Sequence, residues 1–172
     1  MLAHTQRVFF CLLFFAVSFA FVCPLKAEDY GTFQGVEYVD CYDGDTCRFN
    51  IPQVHPLIGR NISVRLDGID TPEIRGKCAR EKRLAREAKR FINQLFQSLE
   101  ANDRIDLVNL DRGKYFRVVA TIHLVKDSGR QVVDVNHLMI QKGLAVPYGG
   151  KSRRRSWCRE DGAKLSTASF WR

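Results

Sequence analysis

The sequence predicts an α+β fold, in which five β-strands close into a small barrel and about three helices pack against it. Three patterns support this. Residues 35–51, 62–69, 105–110 and 117–125 are rich in β-branched and aromatic residues and are separated by Gly, Pro and Asp turn signals, the first stretch holding two strands. A long stretch from Ala79 repeats its apolar residues at helical spacing. A shorter one opens at Asp134 and stops at Gly143, as a capped helix does.

Taken in order, the chain opens with a secretion-leader layout. Arg7 precedes sixteen almost wholly apolar residues, Val8 to Cys23. That run is shorter than the roughly 20 residues a spanning helix needs. The expectation is a signal peptide over residues 1–27, cleaved near Ala27, with an uncleaved anchor as the alternative. Val22 is not the small residue that lipid attachment at Cys23 prefers. Residues 28–34 then form a short linker, and 35–172 form the barrel domain with a basic C-terminal segment.

The first two strands form a hairpin. Val36, Tyr38 and Cys41 run toward a turn at Asp43-Gly44-Asp45, and Cys47, Phe49 and Ile51 leave it. Pro52 to Gly59 reads as loop, and Ile62 to Ile69 as a third strand ending at Asp70-Thr71-Pro72-Glu73. Because Arg65 and Asp70 are five apart, a flat strand would point them to opposite faces, so a bend or bulge is expected near Gly68. In the long helix Leu84, Ala85, Ala88, Phe91, Ile92, Leu95, Phe96 and Leu99 make the buried stripe. Its first half carries Arg80, Lys82, Arg83, Arg86, Lys89 and Arg90, readable as a solvated face or as a nucleic-acid contact. Ile105–Leu110 and Arg117–Val125 are the last two strands, and Asp134 caps a helix from Val135 to Lys142. After Tyr148 come Gly149-Gly150 and the basic group Lys151, Arg153, Arg154 and Arg155, equally readable as a solvated tail or a binding patch. A single further helix fits beyond it, though Gly162 opposes a long one.

Composition bounds the partners. With 45% hydrophobic and 27% charged residues the chain is an ordinary globular one. Its formal charge of +8 falls to +6 if residues 1–27 are removed, because Arg7 and Lys26 go and no acid does. Such an excess suits nucleic acid or an anionic membrane surface, and also a soluble basic protein with neither partner. Four cysteines follow the leader, Cys41, Cys47, Cys78 and Cys158, an even number suited to an oxidising compartment. Three connectivities are open to them. Cys41 and Cys47 flank the hairpin turn symmetrically, which favours Cys41 with Cys47 and Cys78 with Cys158. No cysteine pair has the short gap of a zinc knuckle.

The chemistry concentrates in Asp43, Asp45, Asp67, Asp70 and Glu73, an acidic stretch within a basic protein. Clustered carboxylates are the ligands a hard cation takes, although Asp43 and Asp45 taken singly are ordinary turn formers. The spacing around Asp40 to Asp45 does not fit an EF-hand loop.

Three successive segments resemble the motifs of the staphylococcal-type thermonucleases: Asp43-Gly44-Asp45-Thr46, then Arg65-Leu66 leading to Ile69-Asp70-Thr71-Pro72-Glu73, then Lys114-Tyr115-Phe116-Arg117. The likeness runs from about residue 35 to Tyr148, with Asn136 to Ala145 resembling a further helical segment of that family. Trp171 is a weaker match. The resemblance implies a five-stranded OB-type barrel whose calcium ion is held by Asp45, Asp70 and the backbone carbonyl of Thr71. It implies Glu73 as the residue that activates or orients water, Arg65 and Arg117 as phosphate binders, and Tyr115 and Tyr148 as nucleotide contacts. The physics of each role is consistent with this. Guanidinium forks suit phosphate oxygens, a nearby cation keeps a glutamate ionised, and aromatic faces stack on any base. Two departures stand out: Phe116 occupies a position where the family commonly has glycine, and the four cysteines are extra.

The reading that follows is a calcium-dependent endonuclease of low sequence specificity for DNA and RNA, monomeric, located outside the cytoplasm and free of the membrane once the leader is cut. A non-catalytic OB-type nucleic-acid-binding module and a structural envelope protein are the alternatives.

Overall fold

The computed structural model describes residues 30–114, 117–150 and 154–158. Its elements in chain order are β1 (Phe33–Cys41), β2 (Thr46–Asn50), α1 (Pro56–Gly59), β3 (Ile62–Leu66), β4 (Ile69–Asp70), α2 (Ala79–Gln97), β5 (Arg104–Arg112), β6 (Val118–Lys126), β7 (Gln131–Asp134), α3 (Val135–Gln141) and β8 (Val146–Pro147).

Five strands close the barrel in the order β3-β2-β1-β5-β6, and a parallel pairing of β3 with β6 completes the ring. All the other ladders are antiparallel. This closure leaves no free edge along the five strands, the usual solution of small OB-type barrels. Alternating residues of each strand point inward, among them Val36, Phe49, Val64, Leu66, Leu107, Ile122 and Leu124, all buried. Helix α2 covers one end. Its buried stripe of Ala85, Ala88, Ile92 and Phe96 enters the core, with the Phe96 ring 5.7 Å from Phe49 and 4.9 Å from Tyr38. Helix α3 is capped by the Asp134 side chain, which accepts from the His137 N–H at 2.9 Å, and ends at Gly143 with φ +69°.

The expected third strand is interrupted. It stops at Leu66, turns through Asp67 and Gly68, and resumes as β4, with Gly68 at φ +69°. A left-handed residue there re-aims the chain without steric cost. The buried side chain of Asn136 clamps the turn. Its Nδ2 donates to the Asp67 carbonyl at 2.7 Å, and its Oδ1 accepts from the Ile122 N–H at 3.1 Å. The Tyr148 N–H donates to the Gly68 carbonyl at 2.8 Å from the other side.

Two elements differ from expectation. The segment read as loop contains the single turn α1, started by Pro56 and capped by His55, whose Nδ1 accepts from the Leu57 N–H at 3.2 Å. Strand β7, unforeseen in the sequence, pairs with the end of β6 as a sixth strand outside the ring. The ordered barrel also begins at Phe33, inside the expected linker. The leader, Arg153, Trp171 and any helix around Gly162 lie outside the described residues, as do Tyr115 and Phe116. Cys41 is joined to Cys47 across the β1–β2 hairpin, and Cys78 to Cys158 over a separation of 80 residues.

Candidate metal centre and active site

The centre is assembled by the hairpin turn between β1 and β2, the bend that ends in β4, and a C-terminal strap, residues 154–158. At the turn, Gly44 is required for close approach. A Cβ there would lie 2.8 Å from Ala88 Cβ and 3.1 Å from Thr71 Cβ, and its φ is not left-handed. The turn therefore presses against α2 and against Thr71, which carries Asp43 and Asp45 inward. Asp43, Asp45 and Asp70 are only 6%, 2% and 1% exposed. Three carboxylates this dry demand compensation.

Asp45 receives most of it. Its Oδ1 accepts from Arg65 Nη1 at 2.7 Å and from Thr46 Oγ1 at 2.9 Å, and its Oδ2 faces the Thr71 N–H at 3.4 Å. Arg65 reaches this position because the bend at Gly68 brings β4 back alongside it. Its Nη2 donates to the Ile69 carbonyl at 3.2 Å and lies 3.9 Å from Asp70 Oδ1. Asp43 has no cation partner among the described residues. Burial first, and then the charge of Asp45 with a weaker push from Glu73, drives its carboxyl up to about 7, against the pull of the Asp45 N–H that it accepts at 3.2 Å.

Asp70 is the least satisfied. Its Oδ1 is buried and accepts no hydrogen bond. Burial raises its pKa, opposed chiefly by Arg154, whose Nε lies 3.3 Å away. The Trp157 indole N–H is also buried without a hydrogen bond, although it stands near enough to Asp70 to favour the ionised form slightly. Arg154 also pairs with Glu73, and its guanidinium carbon lies 6.0 Å from the Tyr148 ring centroid. Burial works against the Arg154 charge, but Asp70, Glu73 and Asp45 outweigh it and hold its pKa above the ordinary value. The strap is fixed by the Cys78–Cys158 link, by the buried Trp157, and by Arg80 Nη1 donating to the Trp157 carbonyl at 2.6 Å.

Two adjoining cavities open over these groups. One of about 660 Å³ is lined by Asp43, Arg65, Glu73, Lys89, Arg117 and Arg154. The other, of about 360 Å³, is lined by Asp70, Thr71, Glu73, Arg154 and Trp157 among others. The Arg117 guanidinium makes no ion pair with any described residue, and its loop is closed by the Gly113 N–H donating to the Arg117 carbonyl at 2.8 Å.

The structure thus brings together Asp45, Asp70, Thr71 and Arg65 by direct contact, and Glu73 and Arg117 by a shared cavity. Tyr148 joins them through Arg154, and Tyr115 falls outside the described residues. Sequence reasoning counted Asp43 in the acidic cluster without giving it a role of its own, and left Arg154 inside an undifferentiated basic cluster. The donor set suits a hard divalent cation: carboxylate oxygens, a neighbouring backbone carbonyl, and a buried oxygen on Asp70 that accepts no hydrogen bond.

Comparison with known proteins places these residues in context. The family described as staphylococcal nuclease homologue matches residues 63–171, which is more than half of the chain. A probable endonuclease of Schizosaccharomyces pombe is 39% identical over 103 residues, covering 55% of this chain and 40% of the relative. The chain therefore spans about two fifths of that relative's length in the match.

Proposed function

The chain belongs to the staphylococcal nuclease homologue family, and from that premise we propose that it is an exported, calcium-dependent endonuclease that hydrolyses DNA and RNA with little sequence preference. One observation carries the reading. Buried carboxylates of Asp45 and Asp70, the second with an oxygen that accepts no hydrogen bond, lie beside a cavity lined by Arg65, Arg117 and Glu73 among others. That combination suits phosphodiester hydrolysis. Arg65 and Arg117 bind the phosphate, and their fixed charges stabilise the transition state more than the ground state, because negative charge grows on the phosphoryl oxygens. Glu73, half exposed at the cavity mouth and paired with Arg154, is the group that orients or deprotonates a water. Asp45, Asp70 and the Thr71 carbonyl are the groups that would hold the ion, which when bound supplies Lewis-acid charge at the phosphate. Tyr148 offers a base-stacking face indifferent to sequence. The layout of residues 1–27 and the two cysteine pairs support export.

The test is digestion of circular single-stranded DNA by the purified protein with calcium, magnesium or a chelator, alongside Glu73→Gln and Arg117→Ala. A circle has no ends, so its loss requires internal cleavage. The expected result is calcium-dependent loss of the circle, slowed roughly 100-fold or more by either substitution. An intact circle that still shifts in a gel would leave a binding module in place of an enzyme.

A further inference from the structure

Helix α2 carries most of its basic residues on one flank. At about 100° per residue, Lys82, Arg86 and Lys89 fall within an arc of about 60° on one flank, and Arg83 and Arg90 extend that arc toward solvent. The core-facing stripe of Ala85, Ala88, Ile92 and Phe96 lies to the other side. No acid falls inside the basic arc, and Glu87 lies beyond its outer edge. Lys82, Arg83, Arg86 and Arg90 are exposed, and none of the five forms an ion pair with a described residue. The flank is also continuous with the reactive cavity, because Lys89 lines it together with Arg65, Arg117 and Arg154.

We propose that this flank is a track for the sugar–phosphate backbone of a nucleic-acid strand, leading from solvent into the cavity through Lys82, Arg86 and Lys89. The proposal rests on the nuclease reading and specifies its substrate as a polymer gripped several phosphates away from the bond that is cut. Seven residues of helix span about 10 Å, enough to meet more than one backbone phosphate. The helix stays anchored by its apolar stripe, so the charges are presented on a rigid element. Contacts made only to phosphates add affinity without sequence preference.

The experiment measures binding and cleavage separately. Binding of a fluorescent 12-nucleotide strand to the protein is followed by anisotropy in chelator across a salt series, for wild type, for Lys82→Gln with Arg86→Gln, and for Arg60→Gln with Arg130→Gln as a control of equal charge loss. The flank variant is expected to bind about tenfold more weakly at low salt and to lose about 1.4 from its log–log salt slope, as two lost phosphate contacts predict. The control is expected to follow wild type. In cleavage, the flank variant should raise KM for long single strands and leave KM and kcat for a dinucleotide unchanged. Equal losses in the control, or an equal loss on the dinucleotide, would overturn the track. So would a flank variant that loses affinity only for anionic phospholipid vesicles and keeps its affinity for the strand. If wild type binds with the expected slope but cuts nothing, the nuclease reading fails and the track stands. If it cuts and the flank variant changes nothing, the reverse holds.

Discussion

Asp43 shows at the scale of one residue how the centre trades stability for charge. Its carboxyl is 6% exposed, sits beside Asp45, and is pushed from 3.8 up to about 7. A carboxyl whose folded pKa is raised favours the folded state only while it stays protonated. That contribution is complete below about 4 and is lost as pH rises through about 7. In metal-free buffer the protein should therefore lose stability between pH 4 and pH 8, and Asp43→Asn should recover on the order of 2–4 kcal/mol at pH 8 and little at pH 4.5. The amide keeps an oxygen for the Asp45 N–H, so the turn itself is preserved. Urea unfolding at the two pH values checks this, and a variant less stable than wild type at both would rule out the charge explanation. Gly44 carries a second prediction. A Cβ would collide with Ala88 and Thr71, so Gly44→Ala should cost about 1–3 kcal/mol and also displace Asp43 and Asp45. Its cleavage rate should fall further than its stability alone explains, a difference that comparing activity with the unfolding midpoint would reveal.

At the scale of elements, the bend between β3 and β4 decides whether the site exists, because it turns Arg65 and Asp70 toward one another. Asn136 holds that bend from α3 through the Asp67 carbonyl and the Ile122 N–H. Asn136→Ala leaves the buried Ile122 N–H unpaired and frees the partly buried Asp67 carbonyl, at a cost of about 1–3 kcal/mol, and should raise hydrogen exchange at Ile122 more than at the far end of β6. Uniform exchange along β6 would argue against a local clamp. The sequence disclosed much at this scale. Period-two and period-3.6 patterns located five strands and two helices, and the opposed directions of Arg65 and Asp70 on a straight strand pointed to a bend near Gly68. Helix α1 and strand β7 were opaque for a physical reason. Each is only four residues long and is fixed by tertiary context, α1 by the His55 cap and β7 by its ladder to β6. The motifs around Asp45, Asp70 and Glu73 were equally legible, because the residues of each motif are adjacent in the chain. Arg154 was not, because it meets Glu73 across 81 residues, and no local pattern tells which of several neighbouring arginines will turn inward.

At the scale of the whole molecule, the middle of the chain is tied to the C-terminal strap at the site. The Cys78–Cys158 link joins the start of α2 to the strap and closes a loop with a separation of 80, whereas Cys41–Cys47 closes one of only 6. The chain-entropy model gives about 4–5 kcal/mol for the first and about 2 kcal/mol for the second. The first link has a local effect as well, since the strap it fastens delivers Arg154 to Asp70 and Glu73. A guanidinium 3.3 Å from Asp70 competes with any divalent cation for the same carboxylates. Calorimetric calcium titration should therefore show tighter binding, by roughly tenfold, in Arg154→Gln than in wild type, with Arg154→Lys close to wild type because the charge is kept. Cys78→Ser with Cys158→Ser should move affinity in the same direction, since releasing the strap lets Arg154 leave. Cys41→Ser with Cys47→Ser should lower the unfolding midpoint without that gain. If the two cysteine pairs change calcium affinity alike, the crosslink acts only on the stability of the fold, and the placement of Arg154 does not depend on it.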